Sequence, residues 1–234
     1  MNINIVILCG GMGTRLYPIT KNIPKALVKI AGKPFIIHQL DLLIKQNIKK
    51  VIICSGYLGE QIYSLLGDNY LNKISIKYSN DGDSLIGTGG AIMKSLHLID
   101  SDNFIVMYGD SYLLCPILNI YEYYNSIDSK ALMTIYKNKN KWDTSNCIFN
   151  NGLVTLYDKN NVSNEMSYID YGLSILNKSI FLSYLKEDKL DLSLIFNKLS
   201  LSKLLNGFEV TQRFYEIGSF SGIKEAEIYF KTLQ

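Results

Sequence analysis

The first half of the chain alternates short apolar runs with stretches of helical periodicity, and this alternation constrains the fold more than any other feature. Ile3 to Cys9 is apolar but for Asn4 and ends at Gly10-Gly11, the pattern of a strand buried on both faces. Phe35 to Lys45 gathers its apolar residues on one broad face and predicts an amphipathic helix. Lys50 to Cys54 is a second strand closed by Ser55-Gly56, and Glu60 to Leu66 is a short helix. Ile74 to Tyr78 alternates as a strand, Ala91 to Ile99 is helical, and Phe104 to Tyr108 is a strand stopping at Gly109-Asp110. This rhythm predicts an α/β fold with a mixed, mostly parallel central sheet flanked by helices.

The second half is less regular. Ala131 to Tyr136, Leu153 to Tyr157, Ile169 to Leu176 and Glu209 to Ile217 read as strand regions. Leu190 to Leu205 and Ser221 to Leu233 read as helices. Neither a repeat nor a linker-like composition divides the chain, so one domain is expected over residues 1–234.

Composition narrows the class. An apolar fraction of 47% with 19% charged residues excludes a disordered or collagen-like polymer. A net charge of +3 is too balanced to predict nucleic-acid or membrane binding. The four cysteines, Cys9, Cys54, Cys115 and Cys147, have neither disulfide-framework nor zinc spacing. No signal-peptide pattern and no apolar run of about 18 residues occurs, so a soluble cytoplasmic protein is expected.

In an open parallel sheet, ligands bind beyond the carboxyl ends of the strands. The loop there after the first strand is Gly10-Gly11-Met12-Gly13-Thr14-Arg15-Leu16, followed by Pro18, Thr20 and Pro24-Lys25. Glycines allow backbone N–H groups to turn toward a phosphate, and Arg15 and Lys25 add a planar fork and a point charge. Two commoner phosphate loops fail: Leu16 stands where a dinucleotide fingerprint needs glycine, and Gly32-Lys33 runs into Pro34 rather than Ser or Thr. His38 and His97 sit inside helical patterns and read as structural, as do Tyr121, Tyr123 and Tyr124. Lys137, Lys139 and Lys141 read as a solvated loop.

These motifs, with Gly32-Lys33-Pro34, resemble the signature of the sugar-1-phosphate nucleotidyltransferases. Further matches follow in order. Gly87-Thr88-Gly89-Gly90-Ala91 resembles the family's base-binding loop, and Tyr108-Gly109-Asp110-Ser111 its metal-binding Gly-Asp. Leu156-Tyr157-Asp158-Lys159 is similar to its Glu-Lys element, and Tyr168 to Gly172 to its sugar-contacting strand. Phe214 to Gly218 sits where the family has an aromatic residue, Asp and Gly. The chain resembles the short members, without a β-helical tail, that activate heptose 1-phosphate or N-acetylmuramate 1-phosphate.

The resemblance implies a Rossmann-like nucleotide-diphospho-sugar transferase fold and nucleotidyl transfer from a nucleoside triphosphate to a sugar 1-phosphate, for surface-glycan precursors. It assigns Arg15, Lys25 and Asp110 to catalysis and Leu8, Gly10, Gly11, Gly13, Thr14, Asn80, Gly87 and Thr88 to the nucleotide. Tyr108, Asn146, Asp158, Lys159, Asp170 and Gly172 fall to the sugar phosphate, and Asp110 and Glu216 to Mg²⁺. It implies a monomer or homodimer. Three positions depart from the pattern: Cys9 replaces Ala, Glu216 replaces the second metal-binding Asp, and Asp158 replaces Glu.

A glycosyltransferase of the related fold needs Asp-x-Asp, but Asp110 is followed by Ser111 and Tyr112. A non-catalytic binding relative would be free to lose Arg15, Lys25 or Asp110, all present here. Base choice rests with backbone near Gly87 and side chains around Asn80 and Asp81, where the loop through Ser84 looks long. The segment from Leu85 to Gly90 resembles the heptose guanylyltransferases most, which favours guanine and leaves uracil, cytosine and thymine open.

Overall fold

The computed structural model describes residues 3–82 and 85–233. Asp83 and Ser84, half of the long loop, lie outside the described residues.

The first half contains β1 (Asn4–Cys9), a small hairpin of β2 (Lys29–Ile30) and β3 (Lys33–Pro34), α1 (Phe35–Lys45) and β4 (Lys50–Ser55). It continues through α2 (Gly59–Leu66), β5 (Asn69–Tyr70), β6 (Ile74–Asn80), α3 (Gly87–Ser95) and β7 (Asn103–Tyr108). β7, β1, β4 and β6 lie side by side and parallel, with β5 antiparallel at the edge. The apolar runs split between two layers by the alternation of a strand. Ile5, Ile7, Ile53, Ile105 and Met107 pack with Ile36 and Leu40 of α1. Val6, Ile52, Cys54, Phe104 and Val106 pack on the other face with Ile92 of α3.

The second half supplies β8 (Ser111–Tyr112), α4 (Ile117–Ser126), β9 (Ala131–Lys137), β10 (Cys147–Asn150), β11 (Leu153–Tyr157) and β12 (Tyr168–Asn177). The chain closes with α5 (Leu192–Leu201), β13 (Asn206–Val210), β14 (Tyr215–Glu216) and α6 (Phe220–Lys231). β12 pairs antiparallel with β7 and with β9, which turns the parallel half into one mixed ten-stranded sheet. The clustered tyrosines lie on α4, where Tyr124 is buried.

Two readings shift. The helix expected from Ala91 begins four residues earlier, at Gly87, because the backbone of residues 87–90 docks on the segment before α5. Gly90 N donates to the Leu190 carbonyl at 3.0 Å and Leu190 N to the Ile86 carbonyl at 2.9 Å. Gly87 has φ +78°, and a side chain there would collide with the Leu190 carbonyl. The expected strand from Glu209 to Ile217 is two strands, β13 in the main sheet and β14 in a separate ribbon with β8.

Candidate active site

The ends of β1 and β7 lie next to each other, with Leu8 opposite Tyr108, and open one cleft. Gly109 N donates to the Leu8 carbonyl at 3.0 Å. A Cβ on Gly109 would stand 2.6 Å from that carbonyl oxygen, so glycine is what lets β7 turn beside β1 and deliver Asp110. Gln39 of α1, 1% exposed, holds the turn from below. Its amide donates to the Tyr108 and Ser111 carbonyls at 2.9 and 2.8 Å.

Lys25, at the start of a single 3-10 turn, donates from Nζ to Asp110 Oδ2 at 2.7 Å. Ser111 Oγ donates to Asp110 Oδ1 at 3.2 Å. Burial pushes the Asp110 carboxyl up, but Lys25, then Ser111 and Arg15, hold it below the usual carboxylate range.

The β8–β14 ribbon brings the last predicted carboxylate to the same place. Glu216 is opposite Ser111, and Ile217 N donates to the Asp110 carbonyl at 2.9 Å. A Cβ added at Gly218 would lie 2.8 Å from Glu216 Oε2, 3.1 Å from Arg15 Nη2 and 3.5 Å from Asp110 Oδ2. Three functional groups therefore meet at a glycine, whose missing side chain leaves the space between them. The Glu216 carboxylate also accepts from Gly218 N and from Ser219 Oγ, the latter at 2.6 Å. Ser219 in turn accepts from Gly222 N and caps α6.

Two compartments open from this centre. One is a cavity of about 220 Å³ lined by Leu8, Gly10, Gly11, Asp81, Leu85, Ile86, Gly87, Thr88, Ala91 and Lys189. The other, about 500 Å³, is polar and includes Arg15, Asp110, Trp142, Asn146, Lys159, Asp170, Gly172 and Glu216. A smaller space of about 160 Å³ at Lys25 and Asp110 shares Leu8, Gly11 and Thr88 with the first and Thr88, Tyr108 and Asp110 with the second. In the polar compartment Tyr108 Oη donates to Asp170 Oδ2 at 3.0 Å and Gly172 N to Asp170 Oδ1 at 2.9 Å. Asp170 N donates to Asn146 Oδ1 at 3.0 Å. Burial raises the Asp170 pKa, with the Gly172 N–H, Lys159 and Tyr108 acting against it.

Four predicted residues line none of these spaces. Gly13 and Thr14 support the loop: Gly13 has φ +65°, and its carbonyl accepts from Thr20 Oγ1 at 2.8 Å. Asn80 turns away and accepts from Gly82 N at 2.8 Å, while its neighbour Asp81 lines the cavity. Asp158 accepts from Asn160 N and Asn161 N at 2.8 and 2.9 Å and closes a turn that presents Lys159 to the cleft. Gln39, Trp142 and Ser219 are additions that no motif marked. A helical position facing inward was the only trace of Gln39 in the sequence.

Among the described residues no group of three or more His, Cys, Asp or Glu side chains could hold a metal ion. The donor set at Gly218 is instead two carboxylates, Asp110 and Glu216. That suits a hard cation bound through one or two carboxylates and the phosphates of its substrate.

The model of the nucleotidyl transferase family matches residues 4–198. The chain belongs to this family. It is 30% identical over 223 residues to D-glycero-alpha-D-manno-heptose 1-phosphate guanylyltransferase of Aneurinibacillus thermoaerophilus, covering 95% of this chain and 96% of that relative. It is 32% identical over 187 residues to the enzyme of the same name from Campylobacter jejuni, covering 79% and 80%. Among solved structures, this nucleotidyl transferase is similar to HddC from Yersinia pseudotuberculosis complexed with GMP-PN, with a TM-score of 0.80 and 28% identity over 97% and 99% of the chains. The expected α/β nucleotidyltransferase fold is thus present.

Proposed function

We propose that this nucleotidyl transferase joins a guanylyl group from GTP to a sugar 1-phosphate, releasing pyrophosphate. The observation that carries the reading is the join between the compartments. The Lys25–Asp110 pair lies between a largely apolar cavity that suits a base and a polar recess that suits a sugar. The guanylyltransferase relatives support the base and point to a heptose 1-phosphate, with a hexose 1-phosphate as the alternative acceptor.

In the reaction a phosphate oxygen of the sugar 1-phosphate attacks the α-phosphorus, and the bond from that phosphorus to the pyrophosphate oxygen breaks. A phosphate monoester has a second pKa of about 6 and is mostly dianionic at neutral pH, so no general base is needed. The site must instead align two phosphate groups that repel each other and neutralise their charge. Lys25 steadies the α-phosphate, Arg15 meets charge growing on the leaving pyrophosphate, and Lys159 holds the sugar phosphate. Tyr108, Asn146, Asp170 and Gly172 shape the sugar recess. Leu8, Gly10, Gly11, Gly87 and Thr88 line the base cavity. Asp110 and Glu216 would hold Mg²⁺, which when bound supplies charge neutralisation and a template for the phosphates. We read the chain as one cytoplasmic catalytic domain, monomeric or homodimeric. Among the described residues no helix is long and apolar enough to cross a membrane.

The test is pyrophosphate release with each of GTP, UTP, CTP and dTTP against a panel of sugar 1-phosphates. GTP is expected to give the highest kcat/KM. A tenfold advantage for another triphosphate, about 1.4 kcal/mol, would remove the guanylyl assignment.

A further inference from the structure

Asp81 is an acid without a visible employment. Its backbone N–H is committed to the Ser55 carbonyl at 2.7 Å, continuing the pairing of β6 with β4. Its carboxylate accepts no hydrogen bond from the described residues, although Oδ1 is buried. Oδ2 packs against Gly10, where an added Cβ would stand 2.8 Å away. Leaving a buried carboxylate oxygen unpaired costs free energy, so its place in this wall calls for a donor supplied from elsewhere.

The cavity it lines narrows the choice of donor. Three of its lining side chains are polar: Asp81, Thr88 and Lys189. The Thr88 hydroxyl is already used, accepting from Leu192 N at 2.8 Å and donating to Asp191 Oδ1 at 3.3 Å. Lys189 is an exposed cation. Asp81 is therefore the side-chain acceptor left for a ligand, in a space lined besides Thr88 and Lys189 by glycines and aliphatic side chains.

An ionised carboxylate offers acceptors and no donor. Guanine alone among the common bases presents two adjacent donors, N1–H and the 2-amino group, on one edge. Adenine and cytosine place an acceptor beside their amino group, and uracil and thymine set one N–H between two carbonyls. Those edges would bring lone pairs against the carboxylate.

Building on the guanylyl reading above, we infer that Asp81 is the base-specificity residue of this enzyme, accepting from N1–H and the 2-amino group of guanine. Burial pushes the Asp81 carboxyl up to about 6, opposed by Lys94. At neutral pH the ionised form, which guanine requires, therefore predominates. Asn80, the neighbouring residue marked by sequence, is occupied in the turn at Gly82.

Inosine triphosphate isolates the claim, since hypoxanthine is guanine without the 2-amino group. We would measure kcat/KM for GTP and ITP with the wild-type enzyme, Asp81→Asn and Asp81→Ala, at saturating sugar 1-phosphate. The wild type should favour GTP over ITP by at least tenfold. Both variants should lower that ratio by tenfold or more, and their turnover of ITP reports that they are folded. A merely structural Asp81 would lower both rates together and leave the ratio unchanged. A wild type that uses GTP, with variants that keep its preference over ITP, overturns the assignment of Asp81 and leaves guanylyl transfer standing. A wild type inactive with GTP and active with a pyrimidine triphosphate removes the guanylyl reading and this inference with it.

Discussion

Lys25 Nζ and Asp110 Oδ2, 85 positions apart in sequence, form a 2.7 Å ion pair where the two compartments of the cleft meet. Their side chains are 17% and 30% exposed, so the pair is sheltered from water without being sealed. Asp110 is held below the usual carboxylate range by this contact, against the opposing effect of burial. Its ionised form thus contributes stability above the ordinary carboxylate pKa, and the contribution is lost as pH falls through its depressed folded-state value.

Replacing Lys25 by Met should therefore do more than remove a cation. Asp110 would be left partly buried beside Cys9 and Ser111, costing about 1–3 kcal/mol of stability. The acid limb of the kcat/KM profile should move upward, since the opposite charge that lowers the Asp110 pKa is gone. A pH profile of Lys25→Met with an unmoved acid limb would contradict this coupling.

Arg15 differs from Lys25 in being exposed and, among the described residues, in no hydrogen bond or ion pair. Arg15→Ala should leave the melting temperature unchanged. It should lower kcat by about 10²–10³, the effect of losing a donor to charge that develops in the transition state. If KM for the triphosphate rises while kcat holds, Arg15 contributes ground-state binding instead.

The base-side carboxylate makes a prediction in the opposite pH direction. Asp81 has its pKa raised from 3.8 to about 6 by burial, so the folded chain holds this proton more tightly than the unfolded chain. Its charge costs stability in full above about pH 6, and the cost vanishes below about pH 4. Asp81→Asn should melt above the wild type at about pH 8, with the gap closing as pH approaches 4. Thermal melts across that range check it, and a gap independent of pH would assign the effect to something other than this charge.

Glu216 carries a double load, since its carboxylate faces Arg15 and Asp110 and also accepts from Gly218 N and Ser219 Oγ at the start of α6. Glu216→Gln should raise the Mg²⁺ concentration needed for half-maximal activity and lower the melting temperature together. One oxygen becomes an NH₂ that cannot accept from its partner. Glu216→Asp keeps the charge but shortens the reach, so the capping contact should suffer more than metal affinity. Activity and thermal melts titrated against Mg²⁺ separate the two roles, and wild-type metal dependence in Glu216→Gln would take Glu216 out of the metal site.

The parallel half of the fold was legible because its strands are buried on both faces and its helix α1 on one, so burial itself wrote the pattern. β8 and β14 were not, since two-residue strands carry no periodicity. Motif spacing located Arg15, Lys25, Asp110 and Glu216, which the structure gathers around Gly218 and the Lys25 pair. It was less informative about which of two adjacent residues faces inward. Asn80 and Asp81 differ by one position at the end of β6, and strand alternation with the turn at Gly82 points only the second into the cavity. Asp158 and Lys159 divide in the same way, the carboxylate into a turn and the amine into the cleft. Gln39 was invisible because its work is done through two backbone carbonyls distant in sequence.

³¹P NMR of the purified protein with GTP, Mg²⁺ and a heptose 1-phosphate follows every phosphorus at once. GDP-sugar and pyrophosphate should appear in equal amounts, with neither formed when the sugar phosphate is left out. Pyrophosphate or inorganic phosphate released from GTP at the same rate without the sugar phosphate, and no new diphosphate diester signal, would contradict it.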